Sequence, residues 1–172
     1  MKTAREVAVL GLSLAAASAL SFFESALCGM MALPPGVRLG LSNIAVLMVM
    51  LLLGHGRAVT LAVLKAGFVL LVRGFVAGIL SLAGGICSVL VMLALLSVRR
   101  TEVSRRMLCM AGAVSHNIAQ ILAAMTVMGS SYLFYYMPVL LVSGVAAGWM
   151  TGSIYRAAEP YFIASKLKVW KQ

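Results

Sequence analysis

A lysine, a histidine and two amides stand inside stretches of this chain that are otherwise apolar enough to lie in hydrocarbon. Lys65 falls in the run 58–76, and Ser115-His116-Asn117 with Gln120 falls in the run 107–128. A charged side chain at bilayer depth costs at least about 2.5–3.5 kcal/mol unless it faces a partner or a water-filled cavity. Buried amides and imidazoles carry a desolvation cost of their own. His116 and Gln120 are four residues apart and share one helix face, with Asn117 beside them. On helical spacing, Lys65 and His116 lie about 12 Å and about 14 Å from the same end of the bundle, so the two can meet. Such a set would hold an anionic or amphipathic small molecule. Each member also has a plainer reading. Lys65 can snorkel its ammonium toward the headgroups, and the polar groups of 115–120 can cross-link helices.

A second polar group stands at the opposite end. Arg38 and Asn43 open the short apolar run 39–53, just after Pro34-Pro35-Gly36. Short spans often mark binding sites in transporters, although Asn43 can equally satisfy its own backbone. Glu24 faces the same region and is a candidate partner for Arg38 or Arg73. Arg73 is near enough to its helix end to snorkel.

The elements that must position these residues are membrane helices. Hydrophobic residues make up 63% of the 172, and the mean hydropathy is +1.06. Charge-free runs approach or exceed the ~18 residues that cross hydrocarbon as a helix. The expected architecture is an all-α integral membrane protein, a six-transmembrane-helix bundle in one domain. Its spans fall at about 6–27, 39–53, 58–76, 79–98, 107–128 and 132–155, and a basic tail covers 156–172. Gly54-His55-Gly56-Arg57 reads as a turn, as does Gly129-Ser130-Ser131, and Gly74 and Gly78 bracket another. Small residues at 15–19 mimic a signal-peptide cleavage site, but they lie within the run, so an uncleaved first span is expected.

Charge supports this layout. With the N-terminus inside, the cytoplasmic segments hold Lys2, Arg5, Arg57, Arg99, Arg100, Arg105, Arg106, Arg156, Lys166, Lys168 and Lys171, eleven of the 14 cations. That is the bias the positive-inside rule requires, and it puts both termini in the cytoplasm of a multi-pass cell-membrane protein. The net charge of +10 therefore reflects topology rather than a nucleic-acid partner. Tyr132, Phe134, Tyr135 and Tyr136 suit an outer interfacial belt, and Tyr155, Tyr161 and Trp170 an inner one. Cys28, Cys87 and Cys109 lack metal or disulfide spacing and read as packing residues. No metal and no cofactor is expected.

Gly11, Ala15 and Ala19 repeat every four residues along the first span, a smooth face that lets another helix approach closely, either a partner's or one of this bundle. Gly144, Gly148 and Gly152 form a similar pattern late in the chain.

Three segments carry a resemblance that covers nearly the whole chain. They are Pro35-Gly36-Val37-Arg38-Leu39-Gly40-Leu41-Ser42-Asn43-Ile44, Ala83-Gly84-Gly85, and Gly112-Ala113-Val114-Ser115-His116-Asn117-Ile118-Ala119-Gln120. In this order they resemble the Gx transporter family, whose members are also labelled heptaprenyl diphosphate synthase component I. That family in turn is similar to the substrate-binding S components of energy-coupling-factor vitamin transporters. The resemblance implies a six-helix subunit that binds a small-molecule substrate from outside. It also implies docking on a transmembrane coupling subunit through an Ala-x-x-x-Ala face, here Ala15 and Ala19 with Gly11 one turn earlier. ATP would then be consumed by separate ATPase subunits, because this chain lacks a phosphate-binding glycine loop. The substrate site would comprise Arg38, Asn43, Lys65, His116, Asn117 and Gln120. The synthase label points instead to an accessory membrane subunit of isoprenoid synthesis. Catalysis by this chain is not expected, since magnesium-diphosphate chemistry needs carboxylate ligands. The chain has no Asp, and its four Glu, at 6, 24, 102 and 159, are scattered.

Overall fold

The structure is a computed structural model that describes residues 2–30, 42–98 and 103–170. Arg38, the Pro34-Pro35-Gly36 turn and the loop cations Arg99 and Arg100 lie outside the described residues. Within them the chain is helical and contains no strand. The order is α1 (Lys2–Met30), α2 (Ser42–Leu53), α3 (His55–Arg73), α4 (Phe75–Val98), α5 (Arg105–Met128), a 3-10 turn η1 (Ser131–Tyr136) and α6 (Met137–Trp170). The expected all-α membrane bundle is what the chain forms.

Five of the described helical segments are long and apolar enough to cross a membrane, and the first of them is Glu6–Leu27. Helix α2 differs from the expected span over 39–53. Its 12 described residues reach about 18 Å, short of a hydrocarbon core about 30 Å thick. Gly54 is what stops it. At φ 96° and ψ 175° this residue occupies backbone space open essentially to glycine alone. Gly74, at φ 91° and ψ 173°, separates α3 from α4 in the same way. Each connection is therefore a single glycine, so α3 starts at His55 rather than 58 and α4 starts at Phe75 rather than 79. Gly78 belongs to α4, where a Cβ would lie 2.5 Å from Leu70 Cβ, so it permits close packing instead of turning the chain. Helix α5 begins at Ser104, whose side chain accepts from Met107 N at 3.2 Å, and ends at the left-handed Gly129. The last span also departs from expectation. Residues 131–136 form the 3-10 turn, and α6 runs through Pro160 into the segment expected as a tail.

Helices α3, α4, α5 and α6 pack in sequence, each against the next. Helix α1 packs on α2 and α3, and α2 also touches α5 and α6. Two ion pairs fix which ends lie together. Arg57, at the start of α3, binds Glu6, near the start of α1. Arg105 Nε, at the start of α5, donates to Glu159 Oε1 of α6 at 2.8 Å. These pairs mark one basic end of the bundle, where Arg106 also lies over the Trp149 ring at 5.6 Å.

Between this end and the middle lies an apolar plug. Val46, Leu47, Val49 and Met50 of α2 meet Leu61 of α3, Val89 and Met92 of α4, and Leu108 of α5. Leu47, Val49, Leu61, Val89 and Leu108 have no exposed surface. The close approach of α6 to α5 depends on the glycines noted in the sequence. A Cβ on Gly148 would lie 2.4 Å from Met110 Cα, and one on Gly152 2.6 Å from Arg106 Cα. That stripe is thus used inside the bundle.

Candidate functional site

Beyond the plug, away from the basic end, four helices leave a polar cleft. It is lined by Glu24 of α1, Ser42 and Asn43 of α2, Lys65 of α3, and Ala113, His116 and Asn117 of α5, and it encloses about 290 Å³ including its open mouth. Most of that volume is the open mouth; the enclosed part, about 10 Å³, has room for about one water molecule, so a larger ligand would have to part the helices that line it.

Lys65 lies ten residues into α3, about 15 Å from its start, because the helix begins three residues earlier than expected. It is 5% exposed, and its Nζ donates to Ser42 Oγ at 2.6 Å. It therefore points into the protein, not along the helix to headgroups. Glu24 is 2% exposed. It lines the cleft, whereas Arg73 donates from Nη1 to Ser25 Oγ at 3.2 Å. Glu24 thus shares the cleft lining with Lys65, and Arg38, the other partner expected for it, lies outside the described residues.

His116 sits against α4 at Gly84. A Cβ there would lie 2.7 Å from the ring's Cε1 and 2.8 Å from Nδ1, so the glycine makes the seat for the imidazole. Asn117 is held by its amide, whose Nδ2 donates to Leu140 O of α6 at 2.9 Å. Ser115 turns back on its own helix, with its Oγ donating to Gly112 O at 3.1 Å.

Of the six residues expected to form the site, the cleft brings together Asn43, Lys65, His116 and Asn117. Gln120 is buried on α5 but is not among the lining residues, and Arg38 lies outside the described residues. Three lining residues were not expected, Glu24, Ser42 and Ala113, and of these Ala113 brings only a methyl group. Glu24 carried a signal, a carboxylate within the apolar surroundings Phe22-Phe23 and Ala26-Leu27. Ser42 carried less, being one of many serines in the chain. Among the described residues, no three His, Cys, Asp or Glu side chains gather to hold a metal. On α1, Gly11, Ala15 and Ala19 are exposed, and nothing lies within 4 Å of a Cβ built on Gly11.

A family model described as heptaprenyl diphosphate synthase component I matches residues 13–157, most of the chain and every helix that lines the cleft. The chain belongs to the heptaprenyl diphosphate synthase component I family. No curated protein and no solved structure gives a match. As a component I family member, the chain is a multi-pass membrane protein whose polar side chains converge within the bundle. The seat that Gly84 makes for His116 joins two of the segments on which the family resemblance rests.

Proposed function

We propose that this component I protein is a substrate-binding membrane subunit of an energy-coupling-factor-like uptake transporter for a small molecule. The observation that carries the reading is the buried polar cleft, to which α1, α2, α3 and α5 all contribute. Polar groups within a membrane bundle are costly and mark ligand or ion pathways. His116 and Gln120 are buried and not turned to lipid, which favours a binding role over a featureless anchor. The plug between the cleft and the basic end suits a site loaded from the other side. With the basic end in the cytoplasm of a cell-membrane protein, loading is from outside. Gly11, Ala15 and Ala19 give a transmembrane coupling subunit a smooth face on α1, and ATPase subunits supply the energy. The chain's own role is binding rather than catalysis, in keeping with its lack of Asp and its dispersed Glu.

The family's description favours a second reading, a membrane accessory subunit to a heptaprenyl diphosphate synthase. Mass spectrometry of small molecules released from the detergent-purified protein separates the two. A species enriched with the unaltered chain and lost from Lys65→Met supports the binding role. No enriched species, together with co-purification of a prenyl synthase subunit, supports the accessory role.

A further inference from the structure

Two arginines open α5, and the bundle treats them differently. Arg105 donates to Glu159 of α6 at 2.8 Å. Arg106 turns instead to Trp149 of α6 and lies over its ring at 5.6 Å. Its Nε is shut off from solvent and has no hydrogen-bond partner among the described residues. The described carboxylates are placed elsewhere: Glu6 on Arg57, Glu159 on Arg105, and Glu24 in the cleft beyond the plug. Arg106 is thus a cation that the described residues position but do not neutralise.

Close packing sets that position. A Cβ on Gly152 would lie 2.6 Å from Arg106 Cα, so the two helices nearly touch there. The arginine leaves the seam sideways, onto Trp149, about one helical turn before Gly152. Trp149 is 55% exposed although it lies within the candidate span Ser131–Tyr161. The exposed face of a membrane-spanning helix looks onto lipid. Arg106 is the second residue of α5, so the pair stands where hydrocarbon gives way to headgroups. Arg156, also exposed, follows Trp149 by seven residues, which returns it to the same face of α6 about 10 Å nearer the basic end.

This setting defines the missing partner. A guanidinium with a desolvated donor is costly until an acceptor meets it. Its planar fork of donors fits the oxygens of a phosphate two at a time. The indole face holds the fork in one plane and leaves its edge free to bond. Phospholipid phosphates stand at this depth already. A headgroup with net negative charge gains from Arg106 and Arg156 together, whereas a zwitterionic one brings its own cation.

We propose that Arg106, Trp149 and Arg156 form a binding site for the headgroup of an anionic phospholipid, on the lipid-facing side of the α5–α6 seam. Arg106 takes the phosphate, Trp149 lies against the upper part of an acyl chain, and Arg156 adds positive charge at headgroup level. The site is separate from the cleft and does not depend on the transport reading.

Trp149 is its own reporter, since Trp170→Phe leaves it the only tryptophan of the chain. The full-length protein in this background is reconstituted into phosphatidylcholine vesicles. A minority of the lipid is phosphatidylglycerol brominated in its acyl chains, a contact quencher of indole fluorescence. Brominated phosphatidylcholine at the same fraction gives the random level. Quenching should show phosphatidylglycerol enriched at Trp149 by about fivefold, equivalent to about 1 kcal/mol. Arg106→Gln should bring it close to the random level, and Arg156→Gln should lower it less. Arg5→Gln removes the same charge from α1, which packs on α2 and α3, and should leave the enrichment intact. Equal quenching by the two brominated lipids overturns the proposal. So does an enrichment that Arg5→Gln lowers as much as Arg106→Gln, the mark of diffuse attraction to a basic surface. Loss of the excess on adding inorganic phosphate at constant ionic strength assigns Arg106 to a soluble anion and overturns the lipid site. If Arg106→Gln does not fold, Arg106→Lys, which keeps the charge and loses the fork, is read in its place and should lower the enrichment.

Discussion

The Lys65 ammonium and the Ser42 hydroxyl are 2.6 Å apart, which fastens the middle of α3 to the first residue of α2. This contact crosses the cleft wall immediately beyond the plug, so it serves the packing of the short helix as well as the shape of the site. A hydrogen bond to a buried charge is worth about 1.5–3 kcal/mol. Ser42→Ala is expected to lower stability by about that amount, and Ser42→Thr, which restores a hydroxyl, to recover most of it. Thermal unfolding in micelles checks both.

Gly84→Ala tests the seat of His116. Its new Cβ would lie 2.7 Å from the ring, and a ring can swing where backbone cannot. The expected outcome is a folded protein with a displaced imidazole. Affinity for the co-purified ligand should fall tenfold or more, about 1.4 kcal/mol. Unchanged affinity would remove His116 from the site.

The two glycine patterns should respond oppositely to the same substitution. Gly148→Ala forces a methyl to 2.4 Å from Met110 Cα, which obliges α5 and α6 to separate. Overpacking of this kind costs about 1–3 kcal/mol. Gly11→Ala meets nothing within 4 Å and should leave stability unchanged. Chemical or thermal unfolding of the two variants side by side shows the contrast.

Ala15→Trp places a large ring on the exposed face of α1. The isolated protein should fold normally, since Ala15 is exposed, but co-purification with a coupling subunit should be lost. A folded variant that retains the partner rejects this face as the docking surface.

Orientation is open to a labelling experiment in a background without native cysteines. A cysteine introduced at Ser130, between α5 and η1, should react with a membrane-impermeant reagent added outside intact cells, and one at Ser104 should not. The opposite pattern inverts the molecule.

The apolar runs were long enough in sequence to reveal the bundle, because a run's length against the thickness of hydrocarbon is a local property. The helix ends were less legible. At Gly54 and Gly74, one residue in a glycine-only conformation does the work of a loop, so the runs flow into one another. The polar positions of α3 and α5 announced themselves by the cost of placing Lys65, His116 and Asn117 in hydrocarbon. Which of them share a cavity was not legible, because that depends on helix rotation. Gln120 is buried without lining the cleft, and Glu24 lines it although the sequence offered it only as a partner for Arg38 or Arg73. The two small-residue stripes looked alike as sequence. Only tertiary packing separates Gly148, pressed on the α5 backbone, from Gly11, which has open space beside it.

The apolar plug has an electrical consequence. Leu47, Val49, Leu61, Val89 and Leu108, none with exposed surface, make a predominantly apolar layer between the cleft and the basic end. An ion crossing that layer would shed its hydration with little polar surface to replace it, and water leaves so dry a constriction. A planar bilayer holding the chain alone should therefore conduct no more than bare lipid. A cell making it in excess keeps its proton gradient intact.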